Sequence, residues 1–172
     1  LIIGDVQSGK TANYTGLICK AVDSGYKVVV LLTGTIEKLR QQTQQRIDEG
    51  FVGADSDAMM KQKEEKLIVG AGKYDSSIRP MVLTSTSDDF KQQNANNLGF
   101  DLRNINGPVI FVVKKNSAVL KRLNKWLRTH QNGDEKINHS LLVIDDEADN
   151  ASVNTKTEDS PTAINGHIRE ML

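Results

Sequence analysis

The chain has 172 residues, 38% of them hydrophobic and 26% charged, with 22 Lys and Arg against 22 Asp and Glu. That composition describes an ordinary globular domain with material for one core, and its zero net charge excludes a histone-like or coat-like nucleic-acid binder while leaving room for a local basic stripe. No apolar run approaches the roughly 18–20 residues of a membrane helix, the first residues do not read as a charged-then-apolar leader, and the single cysteine, Cys19, excludes an internal disulfide and points to a reducing, cytoplasmic setting.

The apolar segments are short and β-branched, and helical patterns separate them. Leu1-Ile-Ile3 reads as a strand already under way. With no Met before it, the chain is expected to be a piece of a longer protein. A glycine-bearing turn follows. Tyr14, Leu17, Ile18, Ala21 and Val22 recur at helical spacing over Thr11 to Ser24, and Gly25 stands where helices commonly end. Lys27 to Thr33 has the solid apolarity of a strand buried on both faces. Ile36 to Ile47 reads as a polar-surfaced helix closed by Gly50.

Residues 51–80 are mixed and polar, with one apolar patch at Leu67-Ile-Val69, and residues 87–108 are rich in Asn, Gln and Asp. Residues 51–108 are expected to carry loops, an extra hairpin or short helices beside the sheet, with Met81–Leu83 as a further strand. Val109–Val113 is another buried strand, Asn116–Arg128 a helix, Leu141–Ile144 a third buried strand and Ala163–Leu172 a last helix. Strand alternating with helix predicts an α/β fold, a parallel sheet with helices on both faces.

Two motifs carry chemistry. Gly4-Asp5-Val6-Gln7-Ser8-Gly9-Lys10-Thr11 matches G-x-x-x-x-G-K-[ST]. Glycines let the backbone turn tightly, so that successive N–H groups point at phosphate oxygens. The helix after them adds its positive end. In this pattern Lys10 reaches the β- and γ-phosphates and the Thr11 hydroxyl holds Mg2+, so ATP and Mg2+ are the expected ligands. An apolar strand before and an amphipathic helix after give the motif its required context.

The second motif is Leu141-Leu-Val-Ile-Asp145-Asp146-Glu147-Ala148-Asp149, four apolar residues followed by acids. In a parallel sheet it places carboxylates at the carboxyl edge, where ligands of open α/β folds bind. One carboxylate there can hold Mg2+ and a second can activate the attacking water. Two registers are open. Asp146 as metal ligand with Glu147 as base completes an Asp-Glu-Ala-Asp box. Asp145 with Asp146 is the alternative, and it leaves no glutamate as base.

Gly4–Thr11 and Asp146–Asp149 together resemble motifs I and II of the superfamily 2 helicases and translocases, the DEAD-like group. Within it the chain looks most like the bacterial Z1-domain proteins, on Gly-Asp-Val-Gln-Ser-Gly-Lys-Thr at 4–11, Leu32-Thr-Gly-Thr-Ile36 with Leu39 and Arg40, Ile144-Asp-Asp-Glu-Ala-Asp-Asn-Ala-Ser152, and Thr162-Ala-Ile-Asn165. The resemblance implies that residues 1–172 form the first RecA-like P-loop NTPase lobe of a longer chain and hydrolyse ATP. It also implies a second RecA-like lobe in the same chain, a nucleic-acid partner with DNA preferred to RNA, and a nuclease or methyltransferase partner in a restriction-like system. The family's endonuclease label comes with the resemblance. Alone, the piece is expected to have weak or no activity, because the cleft of such enzymes closes between two lobes. The chain departs from the common pattern with Val6-Gln7 in place of Thr-Gly, and with no proline between Thr33 and Leu39. A non-motor ATP switch gating a partner nuclease or methyltransferase is the first rival reading. A P-loop small-molecule kinase is the second, and the Asp-Glu-Ala-Asp box argues against it.

In such motors strand-end loops touch a nucleic-acid backbone. Thr33, Gly34 and Thr35 end one strand, and Lys114, Lys115 and Asn116 end another. Hydroxyls and lysines there suit phosphate positioning. The bland reading has Asn116 or Ser117 capping a helix and the lysines solvated. Lys121, Arg122, Lys125 and Arg128 lie on more than one helical face and read as solvated surface. Trp126 with Leu120, Leu123 and Leu127 reads as helix-to-sheet packing, and Cys19 as a packing residue. His130, His139 and His167 have no zinc-like spacing and read as surface or turn residues. The tripeptides Glu64-Glu65-Lys66 and Asp134-Glu135-Lys136 have a nuclease-like form that is common in charged loops.

Overall fold

Six consecutive buried residues, Val28–Thr33, form the central strand β1. Three valines and two leucines in a row suit a strand that packs on both faces. The computed structural model describes residues 9–63, 67–75, 80–130, 137–157 and 161–172. The sheet also contains β2 (Met81–Val82), β3 (Val109–Lys114) and β4 (Leu141–Asp145). Its order is β2-β3-β1-β4, and every pairing is parallel. Register sets Thr33 beside Lys114 and Leu32 beside Asp145, so the carboxyl ends of β1, β3 and β4 share one edge.

The period-two alternation of strand side chains divides the core. Val28, Val30 and Leu32, with Val109, Phe111 and Val113, face Leu120, Leu123 and Trp126 of α5 (Ser117–Arg128). Ile164, Ile168 and Met171 of α6 (Ala163–Met171) pack against the same layer. Val29 and Leu31, with Ile110 and Val112, face Tyr14 and Ile18 of α1 (Lys10–Asp23) and Ile47 of α2 (Glu37–Ile47). Helices therefore cover both faces of a parallel sheet, as the alternation of elements predicts. β4 is only half-buried along its length, and among the described residues it pairs on one side alone. No helix among the described residues is long and apolar enough to cross a membrane.

The expected strands and helices lie within a residue or two of their predicted bounds. The predicted strand at Leu1–Ile3 lies outside the described residues. Gly50 does not end α2, which runs on into a π-helical turn at Asp48–Val52. Residues 51–108 hold the short helices α3 (Ser56–Met60) and α4 (Gln92–Asn97), two 3-10 turns and an isolated antiparallel bridge from Ala54 to Ile68. They are more than satellites, since Phe90, Ala95 and Leu102 are fully buried in the core. Trp126 packs between helix and sheet among Phe90, Phe100 and Phe111, with ring centroids 5.5–6.1 Å away. His130, expected at the surface or in a turn, lies in the turn after α5 and is buried there, its ring 4.3 Å from that of Trp126. His139 and His167 are partly buried and hydrogen-bonded, His139 to the Leu102 carbonyl and His167 to Ser117. Leu17 is exposed and Cys19 half-buried, so the apolar stripe of α1 is narrower than its spacing implies.

A buried polar chain ties the π-turn to the sheet. Val112 N–H donates to Thr84 Oγ1, whose hydroxyl donates to Gln44; Gln44 donates to Asp48, which also accepts from the backbone and hydroxyl of Ser56, all at 2.7–3.0 Å. Burial pushes the Asp48 carboxyl up to about 6 against the lowering effect of the hydrogen bonds from Ser56 and Gln44.

Candidate functional site

Parallel strands gather their carboxyl ends at one edge, and here three segments converge on it. The first is the start of α1. Its N-cap is Gly9 at φ +79°, a left-handed conformation that suits glycine. Among the described residues no side chain caps the helix, and its first turn holds no acid, so its positive end has no compensating charge there. A β-carbon at Gly9 would meet nothing within 4 Å among the described residues. These features face a pocket of about 860 Å3, within the roughly 300–1,000 Å3 range of ligand sites. Lys10 and Thr11 of α1, Gly34 after β1, Arg46 of α2, and Asp146 and Glu147 after β4 all line it.

The second segment is the acid-bearing turn after β4. Asp146 N–H donates to Leu32 O at 2.8 Å, which carries the strand pairing one residue past Asp145. Lys115, its side chain wholly buried, donates from one ammonium to Asp145 Oδ1 at 2.8 Å and to the carbonyls of Asp146 and Glu147. A single cation thus pins three successive residues. It holds Glu147 at φ +57°, a left-handed conformation that costs a non-glycine residue roughly 1 kcal/mol or more. The Glu147 carboxylate lies directly over Gly34; a β-carbon there would stand 2.3 Å from its Oε2. Asp145 is neutralised by Lys115 and does not line the pocket, whereas Asp146 and Glu147 open onto it.

The third segment is α2. Arg46 Nη1 donates to Thr11 Oγ1 at 3.0 Å, and the Tyr14 phenol donates to the same oxygen at 3.3 Å. Burial holds the Tyr14 hydroxyl above its ordinary pKa; its hydrogen bond to Thr11 opposes this, and the Asp146 charge adds to the rise. Arg46 and Tyr14 therefore meet at one hydroxyl on the pocket wall, Thr11 Oγ1.

The residues fit a nucleoside triphosphate and Mg2+. The start of α1, with no side-chain cap among the described residues, suits a phosphate. Thr11 and Asp146 offer two oxygen ligands, and Mg2+ commonly takes one or two carboxylates, keeps several waters and uses phosphate oxygens for the rest. Among the described residues no cluster of three or more His, Cys, Asp or Glu could form an all-protein metal cage. Gly4, Asp5, Val6, Gln7 and Ser8 lie outside the described residues, as do Glu64-Glu65-Lys66 and Asp134-Glu135-Lys136.

Several of the expected nucleic-acid contacts have partners within the fold. Thr33 is buried and its hydroxyl donates to the Val113 carbonyl at 3.3 Å, so it is not available to a backbone phosphate. Lys115 is buried beneath the acid turn, so it is not available either. Lys114 is one-quarter exposed and pairs with Glu37 at 2.8 Å; Glu37 also takes Arg40 at 2.7 Å. Burial raises the Glu37 pKa, but hydrogen bonds from Lys114 and Arg40 outweigh it and hold the carboxyl below its usual range. Asn116 caps α5, accepting from the N–H groups of Ala118 and Val119. Gly34 is covered by Glu147, and Thr35 is exposed.

Sequence reasoning missed Arg46 as a pocket residue, the Tyr14 hydroxyl as a donor to Thr11, and Lys115 as the brace of the acid turn. Tyr14 read as core, and no pattern in a polar helix singles out Arg46. Comparison with family models, with curated proteins and with solved structures finds no match.

Proposed function

We propose that the chain binds ATP with Mg2+ at the start of α1 and serves as the ATP-hydrolysing lobe of a helicase-like translocase acting on nucleic acid, DNA rather than RNA. One observation carries the reading: the helix N-terminus bearing Lys10 and Thr11 lines the same pocket as Asp146 and Glu147. The all-parallel sheet with helices on both faces supports a RecA-like P-loop lobe of Z1 type.

In this reading the α1 N–H groups and Lys10 hold the phosphates. Thr11 and Asp146 hold the metal, and Glu147 orients the attacking water and takes its proton. Bound Mg2+ supplies neutralisation of the β- and γ-phosphate oxygens. Asp145 plays a different part, since with Lys115 it fixes the turn that presents the other two acids. A second RecA-like lobe of the same chain would close the site.

The burial of Thr33 and Lys115 and the pairing of Lys114 leave the strand-end loops little free cationic surface. This favours, as a second reading, an ATP switch that gates a partner nuclease or methyltransferase. ATP turnover by the full-length chain separates the two. Stimulation that grows with DNA length supports the translocase, and turnover indifferent to DNA supports the switch. In either case Lys10→Ala abolishes ATP binding and hydrolysis; hydrolysis that persists overturns the site.

A further inference from the structure

The nucleotide reading leaves one strong cation in the pocket without a role. Arg40, Arg103 and Arg128 pair with Glu37, Asp101 and Glu170. Among the described residues Arg46 makes no ion pair, although Glu49 lines the same pocket one turn away and takes a hydrogen bond from Gln45 instead. The Arg46 guanidinium rests on Thr11 Oγ1, an uncharged oxygen.

That oxygen fixes the level of Arg46 in the site. In a phosphate loop the Thr hydroxyl meets the metal, and the metal bridges the β- and γ-phosphates. A guanidinium 3.0 Å from Thr11 Oγ1 would therefore stand beside the β- and γ-phosphates of a bound triphosphate. Thr11 Oγ1 accepts two hydrogen bonds, from Arg46 and from Tyr14, which occupies both of its lone pairs. To serve a metal it must lose one donor. Tyr14 is locked in the core, whereas Arg46 is exposed on a long stem and free to turn. Among the described residues of the lining, three carboxylates, Glu49, Asp146 and Glu147, face two cations, Lys10 and Arg46, so each cation counts when phosphate enters. The planar fork of arginine suits paired phosphate oxygens.

We propose that Arg46 is a second phosphate-binding cation of this site, yielding the Thr11 hydroxyl to Mg2+ and taking the terminal phosphate of a nucleoside triphosphate. The proposal rests on the nucleotide reading above. It is tested by calorimetric titration of the full-length chain, in Mg2+, with ADP and with a β,γ-imido triphosphate that is not hydrolysed. Arg46→Gln is expected to weaken the triphosphate analogue at least about tenfold, the scale of one charge-assisted hydrogen bond, and ADP less than about threefold. Arg46→Lys recovers part of the loss. Because Arg46 is exposed, both variants should melt with the wild type, which shows that they fold. A triphosphate affinity unchanged in Arg46→Gln, or an equal loss for ADP, overturns the proposal. Lys10→Ala separates the two failures. If it weakens both nucleotides while Arg46→Gln weakens neither, only Arg46 is misassigned; if the wild type binds neither nucleotide, the site reading fails and takes Arg46 with it.

Discussion

Gly34→Ala tests the geometry of the candidate base more sharply than removal of the base itself. Gly34 follows β1, and its missing β-carbon makes room for the Glu147 carboxylate. An alanine β-carbon would stand 2.3 Å from Glu147 Oε2, where ordinary contact begins at 3.4 Å, so the carboxylate must retreat by about 1 Å. The clash meets the far end of a side chain, not backbone, and the fold yields cheaply. The unfolding free energy should change by less than about 1 kcal/mol, within the range of mutations that spare the core. Catalysis should not yield cheaply, because a 1 Å misplacement of a reacting group costs on the order of 100-fold. The assay is steady-state ATP turnover of the full-length chain, with nucleotide affinity measured separately. Gly34→Ala should lower kcat roughly 100-fold and leave affinity within a few-fold. Placed on Glu147→Gln, it should add almost nothing, because the group it displaces is already disabled. Unchanged turnover in the single variant would refute the role of Glu147. Equal losses in both backgrounds would show that Gly34 acts by another route.

Two further predictions concern the support of the site. Lys115→Met leaves Asp145, three-quarters buried, and two carbonyls without their shared donor, and should cost about 2–4 kcal/mol in chemical denaturation together with most of the turnover. A stability loss below about 0.5 kcal/mol would show that the acid turn holds itself. Asp48 has a folded pKa of about 6 against an ordinary 3.8, so the folded state favours its protonated form. Its contribution is fully present below about pH 4 and is lost as pH rises through about 6, a change of about 2–3 kcal/mol. Asp48→Asn should flatten that part of the stability curve, and parallel curves for wild type and variant between pH 4 and 7 would contradict the assignment.

Much of the architecture is local and therefore legible. Val28–Thr33 and Val109–Lys114 are runs of β-branched and apolar residues that can only satisfy themselves inside a two-faced sheet. Gly9 followed by Lys10 and Thr11 declares a turn into a helix, and Leu141 to Asp145 declares an apolar strand ending in acid. Periodicity also places Trp126 in the core. The polar stretch 87–108 hid its buried residues, because Phe90, Ala95 and Leu102 reach the core one at a time with no period to announce them.

The amino-acid sequence by itself determined which of the described segments are strands and helices, that the strands run parallel, and that the start of α1 and an acidic strand end belong to one site. It could not determine which charged group faces which. A lysine at a strand end reads the same whether it is solvated or buried, and Lys115 is buried only because β4, some thirty residues on, brings Asp145 alongside β1 and beneath its ammonium. The same tertiary pairing separates Asp145 from Asp146 and Glu147 and turns Glu147 over Gly34, while the approach of α2 to α1 sets Arg46 on Thr11. Side-chain periodicity encodes which face of an element is apolar, whereas the partner of a charge depends on distances across the fold that no local pattern records.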